Sequence, residues 1–77
     1  MVLDLITLKS DDGFTAEIPS IKGLDCWAHK EDEVIEKSIE LLKFYLKLDA
    51  DSKINVDKAR GNKFKTVYKL VFNKDLP

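Results

Sequence analysis

The segment from Asp11 to Gly23 constrains the fold of this chain more than any other part of the sequence. It reads Asp-Asp-Gly-Phe-Thr-Ala-Glu-Ile-Pro-Ser-Ile-Lys-Gly. The Asp-Gly pair is a strong hairpin signal, and the apolar and polar residues that follow alternate as they do in a half-buried strand. Pro19 cannot donate a backbone hydrogen bond to a sheet, so a turn is expected at residues 19–23. The segment therefore predicts a short strand held between two turns.

Strands are also predicted on either side of this segment. Residues 2–8 are short, mostly apolar and rich in β-formers, and residues 24–28 alternate between apolar and polar. A three-residue hairpin loop with Gly13 in the left-handed conformation places Ile6 and Leu8 on the core side of the first strand, which is the arrangement we expect. A loop of two or four residues turns the strand over, because the side-chain period is two. The residues on the core side would then be Leu3, Leu5 and Thr7.

One long amphipathic helix is predicted from Glu31 to Leu48, and its first turn is acidic, which complements the helix dipole. Its apolar stripe recurs at helical spacing and comprises Val34, Ser38, Leu41, Leu42, Tyr45 and Leu48. The next residues are predicted to form an irregular connection with a turn at residues 60–62. A long last strand is then expected from Lys63 to Asn73.

The predicted architecture is a single α+β domain over residues 1–77 with the element order β-β-β-α-β. After three antiparallel strands, the helix must cross over the sheet to reach the last strand. Right-handed, uncrossed connections favour placing that strand beside the first and parallel to it. We therefore expect a four-stranded mixed sheet of order 3-2-1-4 with one helix packed on one face. The opposite face is left open.

The composition excludes several classes of function. Arg60 is the only arginine among thirteen basic residues and the net charge is −1, so direct DNA binding is not expected. A single cysteine, Cys26, and a single histidine cannot form a disulfide or a structural zinc site. No apolar run approaches the roughly 20 residues of a membrane span, and no leader is apparent. We expect a cytoplasmic protein that uses no metal or other cofactor.

The most informative candidate for a binding residue is Trp27, which alternation places on the face away from the helix. A tryptophan with aliphatic neighbours on an open sheet face is typical of a protein-binding hot spot. Self-association, favoured here as a homodimer, is the other interpretation, since a domain of this size has a thin core. The candidate partner-binding residues are Trp27, His29, Lys65, Val67, Lys69 and Val71.

Two sets of charged residues allow other functions. Lysines of the last strand can contact RNA phosphates, although lysines also protect edge strands from aggregation, which we favour. These lysines are Lys63, Lys65, Lys69 and Lys74. A minimal nuclease would need carboxylates around paired Mg²⁺ or Mn²⁺ ions, drawn from Asp4, a helix glutamate (Glu33, Glu36 or Glu40) and Asp75. The helix glutamates lie mostly on the side of the helix opposite the apolar stripe, so no catalytic residue is assigned. An enzyme is the alternative interpretation, and an orphan domain without activity is another.

The pattern of turn residues and apolar positions resembles the HicB-like antitoxin family over residues 2–73. The matching positions around the second strand are Gly13, Phe14, Ala16, Ile18, Pro19 and Gly23. The helix matches at Val34, Ser38, Leu41, Leu42 and Tyr45. The resemblance implies a partial ribonuclease-H-like fold that binds and blocks a ribonuclease toxin of the HicA type. It implies a solitary, non-catalytic domain without the DNA-binding domain that most members carry.

Overall fold

A computed structural model describes residues 1–49 and 51–72, which form five strands and one helix. In chain order these are β1 (Val2–Ser10), β2 (Gly13–Glu17), β3 (Asp25–Ala28), α1 (Glu31–Tyr45), β4 (Asn55–Gly61) and β5 (Lys65–Val71). The strands make one sheet in the order β3-β2-β1-β5-β4, and every neighbouring pair is antiparallel. The predicted α+β class is confirmed.

The prediction of a four-stranded mixed sheet of order 3-2-1-4 is wrong. The residues expected to form an irregular connection form β4, and β5 lies beside β1 but antiparallel to it. The chain crosses the sheet to the far edge, where β4 runs in the same direction as β1, and then turns back to insert β5 between them. Only Val56 of β4 is half-buried, so this edge strand has no alternating apolar pattern in its sequence.

The register of β4 is irregular between Lys58 and Arg60, and beyond the irregularity Arg60 pairs with Val67 of β5. The strand continues to Gly61, so the turn expected at residues 60–62 begins only at Asn62. There the side-chain oxygen of Asn62 accepts hydrogen bonds from the backbone N–H groups of Phe64 and Lys65, each at 2.9 Å. This side chain closes the β4–β5 hairpin, as asparagine commonly does in turns.

The loop between β1 and β2 contains two residues, Asp11 and Asp12, because Ser10 pairs with Gly13. The expected three-residue loop is therefore wrong, and Gly13 does not adopt a positive φ. The alternative core side of β1 is the one observed: Leu5 and Thr7 are fully buried, whereas Leu8 is 41% exposed. One residue of loop length determines this outcome because it reverses the faces of the strand.

The core lies between α1 and one face of the sheet. Its buried apolar residues are Leu5, Ala16, Ile18, Leu24, Ala28, Val34, Leu42, Leu70 and Phe72. The helix packs on β1, β2 and β3. Partly buried residues from the end of the helix to β4 pack against the same core, and they include Leu46, Leu48, Ile54 and Val56. Among residues 1–49 and 51–72, no helix combines the length and apolar character that a bilayer span requires.

The helix ends at Tyr45, three residues before the predicted end, in a Schellman motif. The N–H of Leu48 donates to the carbonyl of Lys43 at 2.8 Å, and the N–H of Lys47 donates to the carbonyl of Phe44 at 3.2 Å. This motif needs a left-handed residue, and Lys47 supplies it with a φ of 56°. Because a side chain is unfavourable in that conformation, Lys47 costs stability at a position where glycine is usual.

The start of the helix is joined to the sheet by a polar group around Glu31. The Thr7 hydroxyl, which is fully buried, donates to the Glu31 carboxylate at 2.9 Å. The Tyr68 hydroxyl interacts with the same carboxylate. Burial raises the pKa of Tyr68 to about 12, and the interaction with Glu31, including its negative charge, acts in the same direction. One carboxylate thus connects α1 to β1 and β5.

Replacement of Lys47 by glycine is expected to stabilise the protein by about 1 kcal/mol, because glycine adopts the left-handed conformation without steric cost. Urea unfolding of Lys47→Gly and of Lys47→Ala measures this difference. The alanine variant keeps the strain and is the matched control. Equal free energies of unfolding in the two variants would contradict the role given to this position.

Titration of Tyr68 is expected to depend on Glu31. In a Tyr45→Phe background Tyr68 is the only tyrosine, and its ultraviolet titration should have a midpoint of about 12. Since the folded pKa lies above the unfolded value, the stability from this proton is complete below pH 10.0 and is lost towards pH 12. Glu31→Gln should lower the midpoint, whereas Glu33→Gln, which changes an exposed acid of the same helical turn, is the control. The same midpoint in both variants would refute the contact.

Candidate partner-binding face

The face of the sheet opposite α1, called the open face below, has no described element packed on it. Strand alternation and register define its members. From β3 to β4 these are Asp25 and Trp27, then Thr15 and Glu17, then Val2, Asp4, Ile6 and Leu8, then Lys65, Val67, Lys69 and Val71, then Asn55, Asp57 and Arg60. Its apolar residues include Leu8 and Val2, which are 41% and 58% exposed.

The structure places the predicted partner-binding residues of the strands on this one face. Trp27 lies on β3 and the other four lie on β5, with β2 and β1 between them: Lys65, Val67, Lys69 and Val71. His29 follows β3 and joins the same face, because its ring lies edge-to-face with the Trp27 ring at a centroid distance of 4.6 Å. Their shared location agrees with the prediction, and their role in binding stays a prediction.

Trp27 is held firmly at the β2–β3 end of the open face. Its indole covers Gly13, where an added Cβ would lie 2.7 Å from an indole carbon and 2.5 Å from the carbonyl oxygen of Ala28. Nδ1 of His29 lies 3.3 Å from the carbonyl oxygen of Asp12, which fixes the imidazole against the indole. The tryptophan is nonetheless 39% exposed. A large aromatic surface that is already positioned loses little entropy on binding.

The charged residues of the open face are unevenly placed. Lys69 forms an ion pair with Asp4 in the middle of the face, and both side chains are about half exposed, so the pair contributes little to stability. A depression of about 380 Å³ lies next to Trp27 and has Glu17 and Asp25 among its lining residues. A second, of about 250 Å³, is lined by residues of β4 and β5, among them Arg60, Lys65 and Val67.

Sequence reasoning missed two parts of this face. The first is the row of apolar side chains on β1, including Ile6 and Leu8, which had been expected in the core because the loop was taken to be one residue longer. The second is Arg60, which had been expected in a turn. The alternation of the segment from Val2 to Leu8 is compatible with either face, so no signal within it could have decided the matter.

Those carboxylates considered for a nuclease that the structure describes are not brought together. Asp4 lies on the open face, whereas α1 lies on the other side of the sheet and exposes its glutamates to solvent: Glu33, Glu36 and Glu40. Within the described residues, no group of three or more His, Cys, Asp or Glu side chains is arranged to hold a metal ion. Asp75 and Lys74 lie outside the described residues. Lys63 is exposed at the β4–β5 turn and is not part of β5.

The remaining candidate for reactive chemistry, Cys26, faces the helix. Its Sγ lies 3.1 Å from Oγ of Ser38 and 3.5 Å from the carbonyl oxygen of Val34. Ser38 is fully buried and donates to the same carbonyl at 2.8 Å. The thiol is half-buried and packs where a small side chain lets α1 approach β3. These contacts pack α1 against the sheet, and we assign Cys26 a structural role.

Comparisons of this chain with protein-family models, with curated proteins and with solved structures found no match. The resemblance to HicB-like antitoxins therefore rests on the turn and helix positions quoted above, and it stays a prediction.

Gly13→Ala is expected to lower the free energy of unfolding by about 2 kcal/mol, because the added methyl group overlaps the Trp27 ring and the Ala28 carbonyl. The loss should be smaller in a Trp27→Ala background, where only the overlap with the carbonyl remains. Asp12→Ala, an exposed change in the same turn, is the control. Equal losses in the two backgrounds, measured by urea unfolding, would show that the indole does not cover this glycine.

Proposed function

We propose that this protein is a non-catalytic protein-binding module and that its open face is the binding surface. The single observation that supports this is the exposed, preorganised Trp27 at one end of a partly apolar sheet face on which no described element packs. Aromatic residues fixed in place and bordered by aliphatic side chains are the usual centres of protein-binding energy. Cytoplasmic location is part of this proposal.

The partner that the resemblance suggests is a small ribonuclease toxin of the HicA type. Inhibition would be steric: the bound module covers the active site of the toxin, so no chemistry by this chain is needed. Glu17 and Asp25 lie beside Trp27 on the open face and supply negative charge next to its apolar surface. Such a border suits a partner with exposed basic groups around an apolar patch, since complementary charges increase the rate of association.

Co-expression with a small basic ribonuclease encoded next to this chain is expected to give a complex that co-purifies and lacks ribonuclease activity. Trp27→Ala should weaken the complex by at least about tenfold, as expected for a hot-spot residue. Phe44→Ala is the matched control, because Phe44 is an aromatic residue that is 79% exposed on the helix side of the molecule. Separation of the two wild-type proteins during purification, or equal effects of the two variants, would refute the proposal.

The nuclease alternative receives no support from the geometry. A metal ion bound by Asp4 on the open face cannot also contact a helix glutamate, because the sheet stands between them. Incubation of the purified protein with labelled RNA and RNA–DNA hybrids, with and without Mg²⁺ or Mn²⁺, tests the alternative directly. Metal-dependent cleavage that disappears in Asp4→Asn would replace the binding proposal with an enzymatic one.

A further inference from the structure

We infer that the open face also binds the open face of a second copy of this chain, related by a two-fold axis that runs along β1. Pairing of two copies and binding of a foreign partner then exclude each other, a consequence that rests on the proposed function. The inference itself rests on how charge is distributed across the face.

One row of paired residues crosses the whole sheet and changes character from end to end. Its members, from β3 to β4, are Asp25, Glu17, Ile6, Val67 and Arg60. The two acidic residues and the arginine are exposed, while Val67 is buried and Ile6 half-buried. The row therefore runs from negative, through apolar, to positive.

The opposite charges at the two ends of this row cannot neutralise each other within one chain. Four strand spacings of about 4.8 Å separate Asp25 from Arg60, which makes roughly 19 Å. Among the described residues, neither Asp25 nor Arg60 has an ion-pair partner, whereas Lys69 and Asp4 in the middle do. The charges at the two ends are thus available to another molecule.

The strand order makes the face self-complementary. Because β1 is the middle strand of five, a two-fold axis along β1 lays the β2–β3 half of one copy over the β5–β4 half of its partner. Asp25 of each copy then meets Arg60 of the other, and the apolar side chains of Ile6 and Leu8 meet near the axis. A two-fold axis perpendicular to the strands would instead place the β2–β3 half of one copy over the β2–β3 half of the other. Like charges would then meet.

The shape of the face also suits this arrangement. The depression of about 380 Å³ beside Trp27 has mainly apolar walls, with Glu17 and Asp25 among its lining residues, and it can receive a long side chain that ends in a positive charge. The partner's Arg60 is the arginine that the axis carries to this end of the sheet. Its guanidinium can lie against the indole and pair with Asp25, and arginine over tryptophan is a favourable cation–π contact.

The interface is small. Five strands of four to nine residues, at about 4.8 Å spacing, span roughly 24 by 22 Å, or about 500 Å² on each copy. A standard stable interface buries about 800 Å² on each side. We therefore expect a dimer that dissociates at micromolar concentration, which leaves the face accessible to a foreign partner.

A charge-swap experiment tests the dimer without any foreign partner. In the Arg60→Glu variant, the contact between position 25 of one copy and position 60 of the other joins two acidic side chains. In the Asp25→Arg variant, the same contact joins two basic side chains. Each variant alone is expected to dissociate at a concentration at least about tenfold higher than the wild type. An equimolar mixture of the two variants is expected to recover the wild-type affinity, because each end then pairs opposite charges.

Analytical ultracentrifugation over a concentration series measures these affinities, and quenching of Trp27, the only tryptophan, reports whether the indole becomes covered. Lys58→Glu and Asp32→Arg are matched controls, because both residues are exposed, the first on the other side of β4 and the second on the helix. Thermal unfolding of every variant verifies the fold. A monomeric wild type at about 500 µM, or a mixture no tighter than its two components, would overturn the inference.

The outcomes separate this inference from the proposed function. If the mixture recovers the dimer and no ribonuclease binds, the dimer stands and the proposed function fails. If a ribonuclease binds through Trp27 but the free protein stays monomeric, the proposed function stands and the dimer fails. If both hold, addition of the ribonuclease should convert the dimer into a complex that contains one copy of this chain.

Discussion

The backbone reversal at Asp11 and Asp12 sets the register between β1 and β2, and the rest of the structure depends on this register. It turns Leu5 and Thr7 towards the helix and leaves Ile6 and Leu8 on the other side. With one more residue in the loop, these two sets would exchange places, and the apolar row of the open face would become the core. The surface available for binding is thus a consequence of where the chain reverses.

On the inner side of the sheet, every described buried polar side-chain atom has a hydrogen-bond partner. Thr7 and Tyr68 share the Glu31 carboxylate, and Ser38 is bonded to its own helix. Unpaired buried polar groups are costly, so this completeness holds α1 in one position on the sheet. Binding at the open face therefore meets a rigid platform rather than a layer that must first order itself.

The sequence predicted the parts of the fold that carry a strong local period. The helix, the second and third strands and the placement of Trp27 away from Cys26 follow from alternation or helical spacing, and the structure agrees with them. β4 escaped prediction because an exposed edge strand needs no apolar alternation, and Arg60 was missed with it. The face of β1 could not be predicted because both sides are apolar, so only the loop length, a property of backbone geometry, distinguishes them. The last strand was predicted to run parallel to β1. It runs antiparallel because β4, which was not predicted, adds one reversal of chain direction before it.

The irregularity between Lys58 and Arg60 has a consequence for how far assembly can proceed. A regular, flat outer strand would offer its free backbone groups to the strand of another molecule, and such edge-to-edge joining has no natural end. Here the outer strand is interrupted, charged and turned out of register, so lateral growth of the sheet is blocked at that side. Association through the face, by contrast, uses up its own surface once two molecules have met, and it stops there.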